Sequence, residues 1–203
     1  MEINPEELSH KDLYAHMIRL ITPRPIAWVS TVSNDGVLNL APFSYFNAVG
    51  SNPPTLMFCP ANRPDGTPKD TLANIQANGE FVVNVVSYEL AEQMNQSAAG
   101  YDTEVSEFEA CGLTSAESTL VRPPRVAEAR AHFECKLHSV INLGTGPAGA
   151  NLVLGRILAI QVADDVLDDR GRADPEKLDT VGRLGGISYT RTTDRFDIDR
   201  PTV

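Results

Sequence analysis

Leu13, Met17 and Leu20 recur at helical spacing behind Ser9-His10-Lys11-Asp12, where a capping side chain is followed three residues on by an acid. That pattern predicts a helix with those three residues as its buried stripe. Pro23 and Pro25 require it to end before residue 23. The periodicity then changes. Residues 26–33 are rich in β-branched side chains and read as a strand. Asn34-Asp35-Gly36 is a turn signal, because these residues tolerate the positive φ of tight hairpins. Residues 37–41 return as the partner strand, and residues 55–59, set off by Pro53-Pro54, form a third. A helix over residues 71–77 follows, capped by Asp70, with Leu72 and Ile75 inward and Gly79 as its stop.

Phe81-Val82-Val83-Asn84-Val85-Val86 reads as a buried strand with one polar residue. Residues 87–96 present Leu90, Ala91 and Met94 on one helical face, and a second short helix covers 105–110. Residues 125–143 form the next long β segment. Residues 151–162 are apolar at both alternating sets of positions, which predicts a strand buried on both faces. Residues 164–179 are acidic and read as a loop with a short helix. Six or seven strands, few helices and hairpin-like turns predict a mainly β fold, a barrel with helical decorations, over an α/β sandwich. No repeat, low-complexity tract or long linker divides residues 1–203, so a single domain is expected.

Charge narrows the partners. A net charge of −10 argues against nucleic acid. It leaves room for an anionic ligand at a local cationic cluster. No apolar run approaches the ~18 residues of a membrane helix. The acidic start, Met1-Glu2-Ile3-Asn4-Pro5-Glu6-Glu7, lacks the apolar segment of a secretory signal. Cys59, Cys111 and Cys135 are odd in number and follow no recognisable spacing, which fits a reducing cytoplasm rather than a disulfide framework.

Two motifs are misleading. Gly144-Thr145-Gly146-Pro147-Ala148-Gly149 has G-x-G-x-x-G spacing, with Asp164 and Asp165 near the place of a ribose-binding acid. A dinucleotide site needs a helix after that turn. The β-prone run Leu152-Val153-Leu154-Gly155-Arg156-Ile157 makes it a hairpin loop instead. His132, Cys135 and His138 suggest a metal. On a strand, however, 132 and 138 share a face while 135 takes the other, and on a helix the three spread around the cylinder. No G-x-S-x-G elbow is present, and Ser30, Ser33 and Ser44 have no histidine nearby in sequence.

The strongest candidate chemistry is Pro68-Lys69-Asp70-Thr71 at a helix start. Backbone amides, a hydroxyl and a cation converge there, as a phosphate requires. Asp70 is expected to cap the helix rather than touch the phosphate. Arg63 lies close by in a loop with two prolines and a glycine. The same residues also fit a plain capped helix beside a surface lysine. Phe43-Ser44-Tyr45-Phe46-Asn47-Ala48 is expected to leave strand geometry after Pro42, freeing amides and carbonyls for a ligand. Asn47 could then bond a ligand's ring or chain, and Ser30, Thr31 and Ser44 its chain or phosphate. The alternative is a loop whose aromatics pack into the core or a dimer interface.

Taken in order, these segments resemble the flavin reductase-like, FMN-binding split-barrel family. Thr22-Pro23-Arg24-Pro25-Ile26-Ala27-Trp28-Val29-Ser30-Thr31, the Asp-Gly turn, Ala41-Pro42-Phe43-Ser44 and Asn47 are similar to its opening hairpin. Pro68-Lys69-Asp70-Thr71 with Asn74-Ile75 is similar to its phosphate-binding helix start. Phe81 to Val86, Phe133 to Leu137, the strand at 152–162 and Arg183-Leu184-Gly185-Gly186 with Tyr189 continue the likeness over about residues 13–200. The resemblance implies a Greek-key split barrel, and a homodimer with FMN at its interface. It implies hydride or electron transfer from NADH or NADPH through FMN to a flavin or another acceptor, with a monooxygenase as a candidate partner. By the same resemblance Lys69, Arg63 and Thr71 hold the phosphate, helped by Ser30 and Thr31. Ser44 and Asn47 hold the ribityl chain or ring, and Arg183 and Tyr189 close the pocket. Some family members carry Gly-Asp-His before the strand matching 152–162, near the nicotinamide site. Here that place reads Pro147-Ala148-Gly149-Ala150-Asn151, without histidine, so flavoredoxin-like electron carriers are the closer comparison.

Overall fold

The computed structural model describes residues 1–202. Helix α1 (His10–Leu20) is followed by strands β1 (Ala27–Val32), β2 (Leu38–Phe43), β3 (Phe46–Ser51) and β4 (Pro54–Phe58). Helix α2 (Asp70–Asn78) leads into β5 (Glu80–Asn84), and α3 (Ala91–Gln96) and α4 (Glu107–Ala110) come next. A short ladder pairs β6 (Ser115–Ala116) with β7 (Arg125–Val126). The long hairpin of β8 (Ala131–Asn142) and β9 (Asn151–Val162) precedes α5 (Pro175–Leu178) and a tail ladder of β10 (Val181–Arg183) and β11 (Tyr189–Arg191).

Seven strands form one antiparallel sheet in the order β2-β1-β5-β8-β9-β4-β3. Its two edge strands, β2 and β3, are consecutive in the chain and separated by Ser44 and Tyr45 alone. Laid flat, the edges of such a sheet would stand roughly 28 Å apart, and two residues reach only about 7 Å. The sheet therefore curls into a barrel that is split between β2 and β3. Phe43, Phe58 and Phe81 meet across the interior, with ring centroids 5.2 and 5.4 Å apart. Gly155 on β9 makes this possible, since a Cβ there would lie 2.3 Å from the Phe81 ring. Leu72 and Ile75 of α2 complete the same interior cluster, as their spacing predicts. Gly79 ends α2 in the left-handed region at φ 76°.

A second core lies outside the barrel. Trp28 and Leu40 are covered there by Leu90, Met94 and Phe108. Strand β1 is consequently buried on both faces. Asn84, the polar residue of β5, is fully satisfied within this layer. Its Nδ2 donates to Trp28 O and Ser30 Oγ, and its Oδ1 accepts from Val126 N.

Several expectations need correction. In α1, Ile18 is the buried residue, while Met17 and Leu20 are exposed and Leu13 is half-buried. The guanidinium of Arg24 takes Ile18 O at 2.7 Å and Ile21 O at 2.6 Å, which fixes the rotation of the helix end. Of residues 43–48 only Ser44 and Tyr45 leave strand geometry; from Phe46 the chain is edge strand β3, where Asn47 pairs with Met57 and Phe46 with Phe58. Residues 125–143 are two strands broken by a turn at 127–130. Strand β9 is not buried on both faces, since Arg156, Leu158 and Ile160 are exposed. The physical reason is the alternation: Val153, Gly155 and Ile157 face the barrel interior, and Arg156, Leu158 and Ile160 take the outward face, Arg156 being exposed even where β4 pairs with it.

The glycine-rich segment at 144–149 is the β8–β9 hairpin loop. Cys135 lies in the barrel core, His138 is exposed, and the ring of His132 faces Val126 O at 2.9 Å in the outer layer. These three side chains do not converge.

Candidate functional site

A groove runs along the free edge of β2. Its deeper part, about 290 Å³, is lined by Asn39, Ala41 and Pro42 of β2, by Arg63, Lys69 and Thr71, and by the chain from Ser97 to Tyr101 with Glu107. A second depression of about 190 Å³ shares Pro42 and Ala98 with it and ends at Ser44, Arg183 and Tyr189. Together they form one elongated cleft, with the capacity of a small-molecule site. One wall is held from below by Ser97, whose Oγ accepts from Trp28 Nε1 at 2.9 Å and donates to Met94 O at 2.8 Å.

The cationic end is built from the start of α2. Lys69, not Asp70, is the N-cap, and it makes no side-chain cap bond. The first-turn amides of α2 therefore remain open to an anion. Asp70 is instead drawn into an ion pair with Arg63, whose Nη1 also donates to Pro68 O at 2.5 Å. Arg63 is thus folded back on its own loop. Lys69 forms no ion pair among the described residues. Its side chain is exposed, and its ammonium lies 5.7 Å from the centre of the Phe43 ring. Burial, and then the charge of Arg63, push its pKa below the ordinary lysine value. An anion placed there would relieve both effects.

Behind Lys69, Asn39 Nδ2 donates to Thr71 Oγ at 2.9 Å and to Thr31 Oγ at 3.2 Å. Asn74 Nδ2 donates to the same Thr31 Oγ at 3.1 Å. Thr31 thus lies beneath the site and supports it through Asn39. Thr71 lines the groove and only accepts in this network, so its hydroxyl proton is available to a ligand.

The loop carrying the cations is stapled to the β8–β9 hairpin. Asn62 N donates to Gly149 O at 2.9 Å, and Asn62 Nδ2 to Gly146 O at 3.0 Å. Asn151 Nδ2 in turn donates to Asn62 Oδ1 at 2.8 Å. A Cβ on Gly149 would meet Gly144 O at 2.5 Å, so this tight hairpin requires glycine.

At the other end, the Arg183 guanidinium stacks 4.3 Å from the centre of the Tyr189 ring, and the Tyr189 hydroxyl donates to Asn95 Oδ1 at 2.9 Å. Arg24, 4% exposed, fastens this end by donating to Leu184 O, and its Nε reaches Ser44 Oγ at 3.4 Å.

The structure therefore brings Arg63, Lys69, Thr71, Ser44, Arg183 and Tyr189 to one cleft. It places the other three elsewhere. Ser30 is fully buried in the outer layer, where its hydroxyl donates to Pro124 O at 2.6 Å. Thr31 is fully buried behind Asn39. Asn47 lies exposed on the edge strand β3, its Oδ1 accepting from Ala48 N.

Sequence reasoning missed Asn39, Arg24 and Glu107. Asn39 had one legible signal, a lone amide in an apolar strand. Glu107 is buried, and its Oε2 accepts from Leu40 N at 2.9 Å. Burial raises its pKa, the Leu40 bond opposes that rise, and Asp70 adds to it.

The chain is similar to known proteins over most of its length. The profile described as flavin reductase-like domain matches residues 18–176. An uncharacterised protein of Halalkalibacterium halodurans is 43% identical over 100% of this chain and 98% of its own length. The crystal structure of nitrilotriacetate monooxygenase component B from Bacillus cereus superposes with a TM-score of 0.92 at 36% identity, covering 98% of each chain. That of Pseudomonas fluorescens 2-nitrobenzoate 2-nitroreductase gives 0.89 at 33% identity, over 100% of this chain and 97% of that one. Both share the split barrel across nearly their whole length, and on this evidence the chain belongs to the flavin reductase-like family.

Proposed function

We propose that residues 1–203 form a single-domain FMN-dependent oxidoreductase that takes reducing equivalents from NADH or NADPH and passes them to a flavin or another small acceptor. The observation that carries this reading is Lys69, which forms no ion pair among the described residues, beside Thr71 and the open amides of α2, at one end of a cleft whose other end is the Arg183–Tyr189 stack. These groups suit a phosphate at one end and a flat ring at the other. When bound, FMN supplies the hydride and electron chemistry, and the protein positions it and tunes its potential. Lys69 and Thr71 hold the phosphate in this reading. Arg63 shapes the loop around it, and Ser44, Arg183 and Tyr189 border the ring end.

A homodimer fits the same reading. Tyr14, Met17 and Leu20 on α1, Ile21 at its C-cap and Val49 on edge strand β3 are exposed apolar side chains that a second copy would cover. A monooxygenase is the candidate partner, supported by the likeness to a monooxygenase component B. The cytoplasm is the expected compartment, with Cys59, Cys111 and Cys135 all free. No membrane or nucleic-acid partner is proposed. The absence of histidine at 147–151 favours a second reading, a flavoredoxin-like carrier that keeps FMN bound and passes electrons to a protein.

Absorbance of the purified protein after addition of FMN and removal of free dye tests the shared claim. Two flavin bands at about one per chain support both readings. A colourless protein means a split barrel that binds something else. FMN-dependent oxidation of NADH or NADPH then favours the reductase over the carrier.

A further inference from the structure

Arg24 is the one lysine or arginine that is buried among the described residues, and no carboxylate there pairs with it. A buried cation is costly unless something offsets its charge. Its acceptors are all neutral: Ile18 O at 2.7 Å, Ile21 O at 2.6 Å, Leu184 O at 3.0 Å and Ser44 Oγ at 3.4 Å. Two of them belong to the C-terminal end of α1, whose dipole offsets roughly half a charge. The remainder is felt outside this cage. At Tyr45, burial and Tyr14 push the hydroxyl pKa up, and the charge of Arg24 acts against them.

The neighbouring end of the cleft has no negative charge of its own. It is lined by Ser44 and Arg183 and by no acidic residue, whereas Asp70 and Glu107 line the deeper part. Ser44 Oγ accepts from Arg24 Nε, and its own proton goes to no acceptor among the described residues. That proton is open to a ligand, and the guanidinium behind it makes the hydroxyl a stronger donor. Hydride transfer from NADH or NADPH to a neutral flavin ring delivers two electrons and one proton. It leaves the ring with one negative charge and the nicotinamide with one positive charge. We propose that Arg24 is a positioning residue for this step, acting through Ser44 to place positive potential at the ring end and so favouring the reduced ring over the oxidised one. The proposal rests on the FMN reading given above. In it Ser44 touches the ring and Arg24 does not.

The test is the midpoint potential of bound FMN, from dithionite titration against an indicator dye, in wild type, Ser44→Ala, Arg24→Gln and Arg24→Lys. Trimethylamine N-oxide is present throughout, because Arg24 also ties α1 to the tail and the osmolyte favours the folded state. Ser44→Ala and Arg24→Gln should each lose about tenfold in preference for reduced over oxidised FMN, which lowers the potential by about 30 mV. Arg24→Lys keeps the charge and should stay near the wild-type potential even where its urea midpoint falls. An unchanged potential in Ser44→Ala or in Arg24→Gln overturns the proposal. Equal falls in Arg24→Gln and Arg24→Lys also overturn it, because they follow the loss of the guanidinium fork and not of the charge. Where Arg24→Gln cannot hold FMN, the other two variants decide: a low Ser44→Ala with Arg24→Lys at the wild-type value supports the proposal, and a fall in Arg24→Lys overturns it. Wild type that retains no FMN refutes the FMN reading itself, which is seen before any variant is made.

Discussion

Ser30 and Thr71 are two buried hydroxyls on adjacent elements, 0% and 1% exposed, and they do opposite things. Ser30 points into the outer layer of β1 and is spent there, donating to Pro124 O and accepting from Asn84 Nδ2. Thr71 faces the split edge of the barrel, accepts from Asn39, and keeps its proton. The first holds layers together. The second waits at a helix start beside Lys69, which forms no ion pair among the described residues. Burial alone does not distinguish a structural hydroxyl from a binding one; what distinguishes them is whether the protein has already used the donor.

The largest effect expected lies on the structural side. Arg24 is a buried cation whose partners are Ile18 O, Ile21 O and Leu184 O rather than a carboxylate. Arg24→Ala should cost about 3 kcal/mol of stability, because buried carbonyls on α1 and the tail lose their donor. Urea unfolding measures this, and an unchanged midpoint would show that these contacts contribute little.

The comparison itself is tested by Ser30→Ala and Thr71→Val. Each should cost about 1 kcal/mol of stability, since each leaves a buried amide or carbonyl short of a partner. Only Thr71→Val should weaken FMN, by roughly tenfold. Loss of FMN in the Ser30 variant with retention in the Thr71 variant would invert the assignment.

Lys69 gives a pH signature. Its pKa is depressed in the folded protein, so the unfolded chain binds more protons between that value and about 10.4. The Lys69 contribution to the stability of the ligand-free protein therefore rises with pH across that window. Affinity for FMN relative to riboflavin should fall over the same window, as the ammonium is lost. A ratio that stays flat up to pH ~10.4 would mean that the lysine does not face the phosphate. A smaller effect is expected at the other end of the cleft. Arg183→Ala removes the half-buried Arg183–Tyr189 stack that borders the ring end, so all flavins should bind a few-fold more weakly, by ~0.5–1 kcal/mol, whether phosphorylated or not.

Much of this fold was legible in the sequence. The Asn34-Asp35-Gly36 turn, the inward Leu72 and Ile75, the Gly79 stop and the hairpin character of residues 144–149 all follow from local chemistry. The exceptions share a cause. Asp70 would cap α2 by local rules, but Arg63, seven residues earlier, takes its carboxylate. Strand β3 has few β-branched residues and gains its identity only by pairing with β4. The outward face of β9 carries apolar Leu158 and Ile160 and is nonetheless exposed, and no pattern within 151–162 shows that. The site was half legible for the same reason. Lys69 and Thr71 are neighbours in sequence, whereas Glu107 meets Leu40 across 67 residues. Which face of β1 carries Ser30, and which carries Thr31, depends on where α2 and α3 pack.

The most direct test of the account measures FMN and riboflavin affinity for wild type and Lys69→Ala, by fluorescence quenching at neutral pH. The two flavins differ only in the phosphate. The account predicts that the variant loses about tenfold to a hundredfold for FMN and nothing for riboflavin, the worth of one charged hydrogen bond. Equal affinities of the two proteins for FMN would contradict it, and would move the phosphate away from the start of α2.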